Sequence, residues 1–314
     1  MKVAIVGTGL IGRGWAAAFA RAGWQVSLWD NDPVAPEAAM RAVAQSLLDM
    51  ETAGLVADAE AAASLLRPAP TLEEALAGAD YAQESAPENR DIKAGLFAWM
   101  DAVAAPDVPL CSSTSAIPGS AFLKDVKGRH RCIVAHPANP PHLMPVVEVA
   151  PAPWNTPEFV QQVCDLLASI RQVPVLIEKE IEGFVMNRLQ AAVINEAMAL
   201  VANGVVSPSG LDAVMKHSLG LRWSMMGPFE TMDLNAPSGF FDYATRYGHL
   251  YAALGRTLTV ADEWQSDALQ RIEEWRRSET PKPGLPERMR WRDVALMRLM
   301  ALKQEIAPQT GEDK

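Results

Sequence analysis

The sequence contains few cysteines, and they form no pattern. Only three occur among its 314 residues, at positions Cys111, Cys132 and Cys164. Isolated cysteines exclude a disulfide framework and lack the paired spacing of a zinc site. We therefore predict no metal site and expect a reducing compartment, the cytoplasm.

Long apolar runs and an excess of positive charge are also missing. No stretch approaches the roughly 18 uninterrupted apolar residues of a membrane-spanning helix, so none is predicted. Lys and Arg total 28 against 38 Asp and Glu, a formal net charge of -10. This balance argues against nucleic acid or an anionic membrane surface as a partner. The N-terminal residues already have the pattern of a core strand, so no signal peptide is expected.

The sequence does contain a strand, a glycine turn and a helix at its start. Residues 3–6 are wholly apolar, as a parallel strand buried on both faces requires. The turn after them has the spacing G-x-G-x-x-G, in which one glycine makes the sharp turn, one lets backbone approach a pyrophosphate, and one lets the helix pack on the strand. The predicted phosphate-binding residues are Gly7, Gly9, Leu10, Ile11 and Gly12.

An acidic residue ends the second predicted strand. Residues 25–29 form this strand, and Asp30 follows it about 20 residues after the glycines. A carboxylate there can accept both hydroxyls of an adenosine ribose and repels the 2′-phosphate of NADP. Because no Lys or Arg follows before Arg41, the sequence predicts NAD as the cofactor.

Strands and helices continue to alternate as far as residue 177. Two alanine-rich helices are predicted in residues 34–66, and further strands at residues 80–85, 109–112, 131–135, 146–149 and 173–177. From Gly183 onward, apolar residues recur at helical spacing and no strand is convincing. We predict an α/β fold, with a Rossmann-type doubly wound NAD-binding domain (residues 1–180) followed by an all-helical substrate and dimerisation domain (residues 181–314).

Two polar segments follow predicted strands: SSTSAIPGS at 112–120 and AHPANPPHLMPVVEV at 135–149. Loops at the carboxyl ends of strands face the ligand crevice of such a sheet. His136 is a candidate base, because histidine titrates nearest the working pH and can take the hydroxyl proton in an alcohol oxidation. Glu148 could orient its ring, as the carboxylate of a catalytic triad does. From the spacing alone, His136 could instead be a hydrogen-bonded loop histidine and Glu148 a solvated acid at a strand end.

Three further segments are distinctive: GFVMNR, GLRWSMMGPFETMDLN and the closing WRDVALMRL. Together with the two polar segments, they resemble the lambda-crystallin and L-gulonate 3-dehydrogenase branch of the 3-hydroxyacyl-CoA dehydrogenase family over nearly the whole chain. The resemblance implies that His136 is the catalytic base and Glu148 its partner. It also implies that Ser115 and Asn187 hydrogen-bond the substrate oxygen and the base, and that Asn139 lies near the base.

The resemblance extends to the cofactor site and to the assembly. Glu88 and Lys93, in the segment APENRDIK, match family positions close to the nicotinamide ribose. Alternatively, Glu88 is simply an acid at the start of a helix and Lys93 an exposed lysine. The family also implies a homodimer formed through the helical domain.

The substrate is expected to be a small hydroxy acid such as L-gulonate. Relatives that use coenzyme A hold its phosphates with basic residues on the helical insertion after the second strand, whereas residues 31–66 here carry six acids and Arg41. A free carboxylate favours a planar bidentate donor. Arg222, in the turn GLRW, is our candidate, with an interdomain or subunit ion pair as the alternative.

Four other functions stay open. A 3-hydroxyacyl-CoA dehydrogenase is one, and an L-carnitine dehydrogenase, which must house a trimethylammonium group, is another. Trp223, Phe229, Glu230 and Phe241 could form such a box, although core packing is the simpler interpretation. A non-catalytic NAD-binding protein of the crystallin kind is the alternative of a different class. Hydroxyisobutyrate-type dehydrogenases share the two-domain plan, but they use a lysine where this chain offers His and Glu.

Overall fold

The computed structural model describes residues 1–258 and 267–306, which belong to two compact units. The sheet unit comprises Met1–Arg188 and the segment from Arg292, and the helical unit comprises Leu189–Trp291. The domain boundary predicted at residue 180 stays a prediction, since these units are defined by contacts alone.

The sheet unit is built on one eight-stranded sheet in the order β3-β2-β1-β4-β5-β6-β7-β8. The strands from β1 to β6 pair in parallel, β7 is antiparallel to β6, and β8 is parallel to β7. Their bounds are β1 (Lys2–Val6), β2 (Gln25–Trp29), β3 (Leu66–Pro68), β4 (Tyr81–Glu84), β5 (Leu110–Ser112), β6 (Cys132–Pro137), β7 (Val146–Ala150) and β8 (Val173–Leu176).

Helices cover both faces of this sheet. Side chains alternate along β1, so that Val3 and Ile5 lie in one apolar cluster and Ala4 and Val6 in the other. The helices of this unit are α1 (Leu10–Arg21), α2 (Ala35–Thr52), α3 (Ala59–Ala63), α4 (Leu72–Leu76), α5 (Arg90–Val103), α6 (Gly119–Phe122) and α7 (Pro157–Ser169). The predicted α/β fold with a Rossmann-type sheet is confirmed.

Two helices of this unit, α4 and α5, begin at a capping side chain. The Thr71 hydroxyl accepts a hydrogen bond from the backbone N–H of Glu74 and caps α4. Asn89 caps α5 in the same way, through the N–H groups of Asp91 and Ile92. The insertion after β2 is two helices, α2 and α3, as predicted. β3 was not predicted, because its three residues include a proline and show no alternation.

The helical unit holds no strand among its described residues. Its helices begin with the greater part of α8 (Met186–Ala202) and continue as α9 (Pro208–Val214), α10 (Gly220–Trp223), α11 (Pro228–Leu234), α12 (Phe240–Gly255), α13 (Asp267–Glu279) and the start of α14 (Leu285–Ile306). One turn of π-helix, Met215–Leu219, joins α9 to α10. The predicted turn at GLRW is therefore wrong, because residues 220–223 are helical. The polar tail past Pro308 lies outside the described residues.

The buried core of the helical unit is small. It consists of Met198, Val201 and Ala268, with a few half-buried neighbours. Many large apolar side chains of the same unit are exposed instead, and Phe241 is 84% exposed. In the part of the chain that the structure describes, no helix is both long and apolar enough to cross a membrane.

Candidate active site

The glycine turn after β1 is shaped to admit a phosphate chain. A Cβ atom on Gly12 would lie 2.0 Å from the carbonyl oxygen of Gly7, and one on Gly7 would lie 2.8 Å from the backbone of Ser85. Nothing lies within 4 Å of a Cβ built on Gly9. Two glycines therefore allow close packing, while the third leaves open space in front of the first turn of α1, where free N–H groups favour an anion.

Asp30 is fixed beside this turn. Its Oδ2 accepts hydrogen bonds from the backbone N–H (2.7 Å) and the hydroxyl (3.0 Å) of Thr8. Together with Gly7 and Gly9, it lines a cavity of about 680 Å³. The carboxylate is thus held at the tip of β2, where the sequence predicted a ribose contact. The turn, the cavity and the acid together fit a dinucleotide.

Two tryptophans that the sequence did not single out form a wall near Asp30. Trp29 and Trp99 meet edge to face with their ring centroids 5.5 Å apart, and both line the same cavity. The indole N–H of Trp99 donates to Glu73 at 2.9 Å, which fixes this ring. Flat apolar walls of this kind suit an adenine ring. The available signal was an aromatic residue directly before the acid at the strand tip.

We therefore expect Asp30→Asn to weaken the preference for NAD over NADP. The amide keeps an acceptor for Thr8 but loses the charge that binds a ribose diol and repels a phosphate. Hydrogen bonds to a charged group contribute about 1.5–3 kcal/mol, so kcat/KM for NAD should fall roughly 10- to 100-fold while that for NADP rises. Asp32→Asn is the matched control, since Asp32 is exposed and acidic but binds the N–H of Val34. Equal preference ratios in the two variants would remove Asp30 from this role.

His136 and Glu148 form a buried hydrogen-bonded pair. They lie directly opposite each other in the antiparallel register of β6 and β7. The Nδ1 atom of His136 is 2.8 Å from Oε2 of Glu148, and the residues are 4% and 2% exposed. Because an ionised carboxylate can only accept, Nδ1 carries a proton, and in the neutral imidazole Nε2 then has a free lone pair.

The second carboxylate oxygen of Glu148 is also bound. Its Oε1 accepts hydrogen bonds from the backbone N–H groups of Val185 and Met186, each at 2.8 Å. Burial raises the pKa of Glu148, but the hydrogen bonds from His136 and from these two N–H groups outweigh it and hold the pKa below its ordinary value. Glu148 is therefore ionised at neutral pH and oriented at both oxygens.

The structure brings Ser115 and Asn187 together. The side-chain amide of Asn187, on the first turn of α8, donates to the backbone carbonyl of Ser115 at 2.6 Å. Ser115 is exposed, on the loop that follows β5. This contact and the contacts of Val185 and Met186 with Glu148 link the GFVMNR segment to the ends of two strands.

Glu88 holds the loop that carries Ser115. Its Oε1 accepts hydrogen bonds from the N–H groups of Ser115 (2.9 Å) and Ala116 (3.0 Å) and from the hydroxyl of Thr114 (2.7 Å). Burial raises the pKa of Glu88, but these bonds and the charge of Lys93 hold it below its ordinary value. The Glu88 carboxylate therefore holds the loop that carries Ser115, a role that the sequence did not predict.

Lys93 is buried rather than exposed. It is 1% exposed, and its ammonium lies 2.8 Å from Oε1 of Glu84 and 3.7 Å from Oε2 of Glu88. The alternative of an exposed lysine at this position is therefore wrong. The ammonium also donates to the carbonyl oxygen of Ala86 at 3.3 Å, so its partners are Glu84, Glu88 and this carbonyl.

Ser112 and Ser113, at the end of β5, are buried and form hydrogen bonds with distant side chains. The hydroxyl of Ser113 is bonded to the indole N–H of Trp15 (3.1 Å) and the amide of Gln83 (2.7 Å). Ser112 donates to the second oxygen of Glu84. No local sequence signal indicates these contacts, because Trp15, Gln83 and Glu84 are distant from the serines in sequence.

The other two predicted substrate residues, Asn139 and Arg222, are both exposed. Asn139 is exposed in the loop between β6 and β7, where its peptide bond to Pro140 is cis. Arg222 is exposed on α10 in the helical unit. Within residues 1–258 and 267–306, no group of three or more His, Cys, Asp or Glu side chains could hold a metal ion.

Comparison with known protein families decides the identity. The model of the 3-hydroxyacyl-CoA dehydrogenase NAD-binding domain matches residues 2–181, and that of the C-terminal domain of the same family matches residues 183–283. The chain belongs to the 3-hydroxyacyl-CoA dehydrogenase family. It is an NAD-dependent oxidoreductase that acts on CH–OH groups, and the predicted cofactor, NAD, is confirmed.

Individual relatives extend over nearly the whole chain. A lambda-crystallin homolog of Rattus norvegicus is 38% identical over 312 residues, covering 98% of each chain. An L-carnitine dehydrogenase of Pseudomonas aeruginosa is 34% identical over 310 residues, covering 98% of this chain and 95% of the relative. The resemblance to the lambda-crystallin branch of the family is thereby confirmed.

Solved structures with this architecture include enzymes of two substrate types. A 5-formyl-3-hydroxy-2-methylpyridine 4-carboxylic acid 5-dehydrogenase matches with a TM-score of 0.84 and 26% identity, covering 96% of this chain and 98% of the other. An (S)-3-hydroxybutyryl-CoA dehydrogenase of Ralstonia eutropha matches with a TM-score of 0.65 and 26% identity, covering 87% and 92%.

Proposed function

We propose that this protein oxidises the 3-hydroxyl of a small hydroxy acid, such as L-gulonate, to the 3-keto acid, with His136 as the base. The observation that carries the proposal is the buried contact between His136 and Glu148 at 2.8 Å. It provides an oriented imidazole with a free Nε2 at the carboxyl end of a strand. The glycine turn lies at the same edge of the sheet, because β1 and β6 belong to its parallel portion.

The side chains divide the proton chemistry between them. Bound NAD supplies the acceptor for the hydrogen and two electrons that leave the carbinol carbon. Nε2 of His136 takes the hydroxyl proton, and Glu148 stabilises the imidazolium that results. The hydroxyl of Ser115 and the amide of Asn187 orient the substrate oxygen, and Asn139 lies on the loop beyond the base.

The cofactor is held by residues at the ends of β1, β2 and β4. The backbone of residues 7–12 binds the pyrophosphate at the start of α1, and Asp30 binds the adenosine ribose. Glu88 lies near the nicotinamide ribose. Lys93 acts there through its ion pairs with Glu84 and Glu88, since its ammonium is buried.

The charge of the helical insertion favours a free acid over a coenzyme A ester. The residues between β2 and β3 include the acids Asp32, Glu37, Asp49, Glu51, Asp58 and Glu60. Arg41 is the basic residue among them, and it is exposed like most of these acids. Such a surface repels the phosphates of coenzyme A, although salt limits the effect beyond about 8 Å.

L-carnitine is the second candidate substrate, because two relatives are named L-carnitine dehydrogenases. Its trimethylammonium group requires an aromatic or acidic box. Phe229 and Phe241 are exposed and each meets Phe240 with ring centroids 6.1 Å apart. The interpretation of these two rings as core residues of this chain is therefore wrong, and they are available for a ligand or a subunit contact.

Initial rates of NADH formation with L-gulonate, L-carnitine and a short 3-hydroxyacyl-CoA test the substrate class. We expect the highest kcat/KM with the sugar acid. If the protein binds NAD but forms NADH with none of the hydroxy acids, a non-catalytic NAD-binding protein is the favoured interpretation.

The variant Arg222→Ala tests how the carboxylate is bound. It should raise the KM for L-gulonate far more than the KM for the amide of L-gulonate, because only the acid offers a carboxylate to the guanidinium. Arg246→Ala is the control, since Arg246 is already paired with Asp242 at 2.6 Å. Equal losses for acid and amide would remove Arg222 from this role.

A homodimer is part of the same proposal. Exposed large apolar side chains favour an interface between subunits, and the helical unit exposes Leu221, Phe229, Phe241, Tyr251 and Leu254 to at least half their full extent. Light scattering of the purified protein measures the oligomeric state. A monomer at micromolar concentration would contradict this part of the proposal.

The cytoplasm is the proposed location. The three cysteines are free, and two of them, Cys111 and Cys132, are buried. Burial raises the pKa of Cys132 to about 12, so this thiol is not a reactive thiolate. Unpaired buried cysteines are ordinary in a reducing compartment.

A further inference from the structure

Two consecutive residues before α8 have left-handed backbone. Gly183 has φ +75° and Phe184 has φ +48°. Among the described residues, Phe184 and Arg171 are the non-glycine residues with positive φ. An aromatic residue adopts this conformation only at a cost in free energy, because its Cβ is crowded by backbone. Such conformations persist where the surrounding structure enforces them, often at functional sites.

This turn directs two N–H groups at the catalytic carboxylate. The chain reverses at residues 183 and 184, and the next two N–H groups, of Val185 and Met186, both donate to Oε1 of Glu148 at 2.8 Å. Met186 is also the first residue of α8, so the positive end of the helix dipole adds to the stabilisation of the carboxylate.

The side chain of Phe184 anchors the turn and contacts the base. Phe184 is fully buried in the apolar cluster that includes Val134 and Ile177. Its ring centroid lies 5.4 Å from that of the His136 imidazole, at an interplanar angle of 39°. One buried ring therefore packs against the imidazole, while the backbone beside it holds the carboxylate that orients that imidazole.

We propose that Phe184 is a positioning residue for the His136–Glu148 pair. Burial of its ring holds the left-handed turn in place, and the turn keeps both N–H groups on Glu148. The same ring limits the movement of the imidazole on one side. This inference rests on the proposed function for its effect on turnover, but its effect on the pair can be measured without a substrate.

The experiment compares Phe184→Leu and Phe184→Gly with a matched core variant. Leucine keeps much of the apolar volume, whereas glycine accepts positive φ without strain but removes the ring. Phe97→Leu is the control, because Phe97 is fully buried in the same cluster and packs against Phe122 rather than His136. Loss of core packing alone should affect the three variants similarly.

The pH dependence of kcat/KM and the Nδ1–H resonance of His136 separate a positioning role of Phe184 from a packing role. We expect both Phe184 variants to lower kcat at least 10-fold with unchanged affinity for NAD. We also expect them to move the acidic limb of the kcat/KM profile to higher pH, because Glu148 loses N–H bonds that lower its pKa. The proton resonance of the Nδ1–H of His136 should also shift. Phe97→Leu should leave the pH profile and this resonance in place.

The possible results distinguish this inference from the proposed function. If the wild-type protein oxidises no hydroxy acid but the Nδ1–H resonance shifts only in the Phe184 variants, the proposed function fails and the positioning role stands. An unmoved resonance and pH profile in both Phe184 variants, or the same changes in Phe97→Leu, would overturn the positioning role. If neither Phe184 variant folds enough to bind NAD while Phe97→Leu does, the ring is required for folding, and a specific role in positioning is refuted.

Discussion

His136→Gln is expected to lower kcat with the hydroxy acid substrate by roughly 10²- to 10⁴-fold, the usual contribution of a positioned general base. Glutamine is close to histidine in size and can still hydrogen-bond Glu148, but it cannot accept the hydroxyl proton at neutral pH. Because His136 lies on β6 and not in the glycine turn, the affinity for NAD should be unchanged. Stopped-flow NADH formation and calorimetric titration with NAD measure the two quantities.

His142→Gln is the control for this variant. His142 is nearly as buried, six residues along the chain. Burial and the charges of Arg21 and Arg292 lower its pKa to about 4, so it is neutral at the working pH. Comparable losses of kcat in the two histidine variants would mean that His136 is needed for structure rather than for proton transfer.

Glu148→Gln is expected to have the second large effect, also within roughly 10²- to 10⁴-fold on kcat. Its amide oxygen can keep the bonds from Val185 and Met186, so its NH₂ group then faces Nδ1 of His136. The imidazole must accept that hydrogen bond, which moves its own proton to Nε2, the nitrogen that should be free. Glu148→Asp, which keeps the charge, should recover part of the rate. Glu158→Gln, an exposed acid on α7, should have no effect.

The same variant tests the stability linked to Glu148. Because the pKa of Glu148 is lowered in the folded protein, its ionisation contributes stability that is fully present above the ordinary carboxyl pKa and is lost as the pH falls through the folded value. The difference in free energy of unfolding between wild type and Glu148→Gln should therefore shrink on acidification. A difference that grows as the pH falls would contradict the assigned ionisation.

Local sequence signals were sufficient to predict most of the sheet unit. Apolar runs and the glycine spacing act over a few neighbouring residues, and the Rossmann-type sheet that they predict is confirmed. The antiparallel direction of β7 was not predicted. It depends on the path of the loop between His136 and Glu148, and it is this direction that sets the two residues opposite each other.

The contacts that sequence reasoning missed all join distant parts of the chain. Glu88 binds the loop of Ser115 across 27 positions, and Val185 reaches Glu148 across 37. The left-handed conformation of Phe184 has no signature in the residue type, because an aromatic side chain disfavours it. Only the packed structure enforces that conformation.

The most direct test of His136 as the base is a crystal structure of the protein with NAD and L-gulonate bound. We expect Nε2 of His136 to lie within hydrogen-bond distance, about 2.6–3.2 Å, of the 3-hydroxyl oxygen, with Nδ1 still bound to Glu148. A bound substrate whose hydroxyl meets another side chain, with Nε2 of His136 turned away from it, would contradict the assignment of His136 as the base.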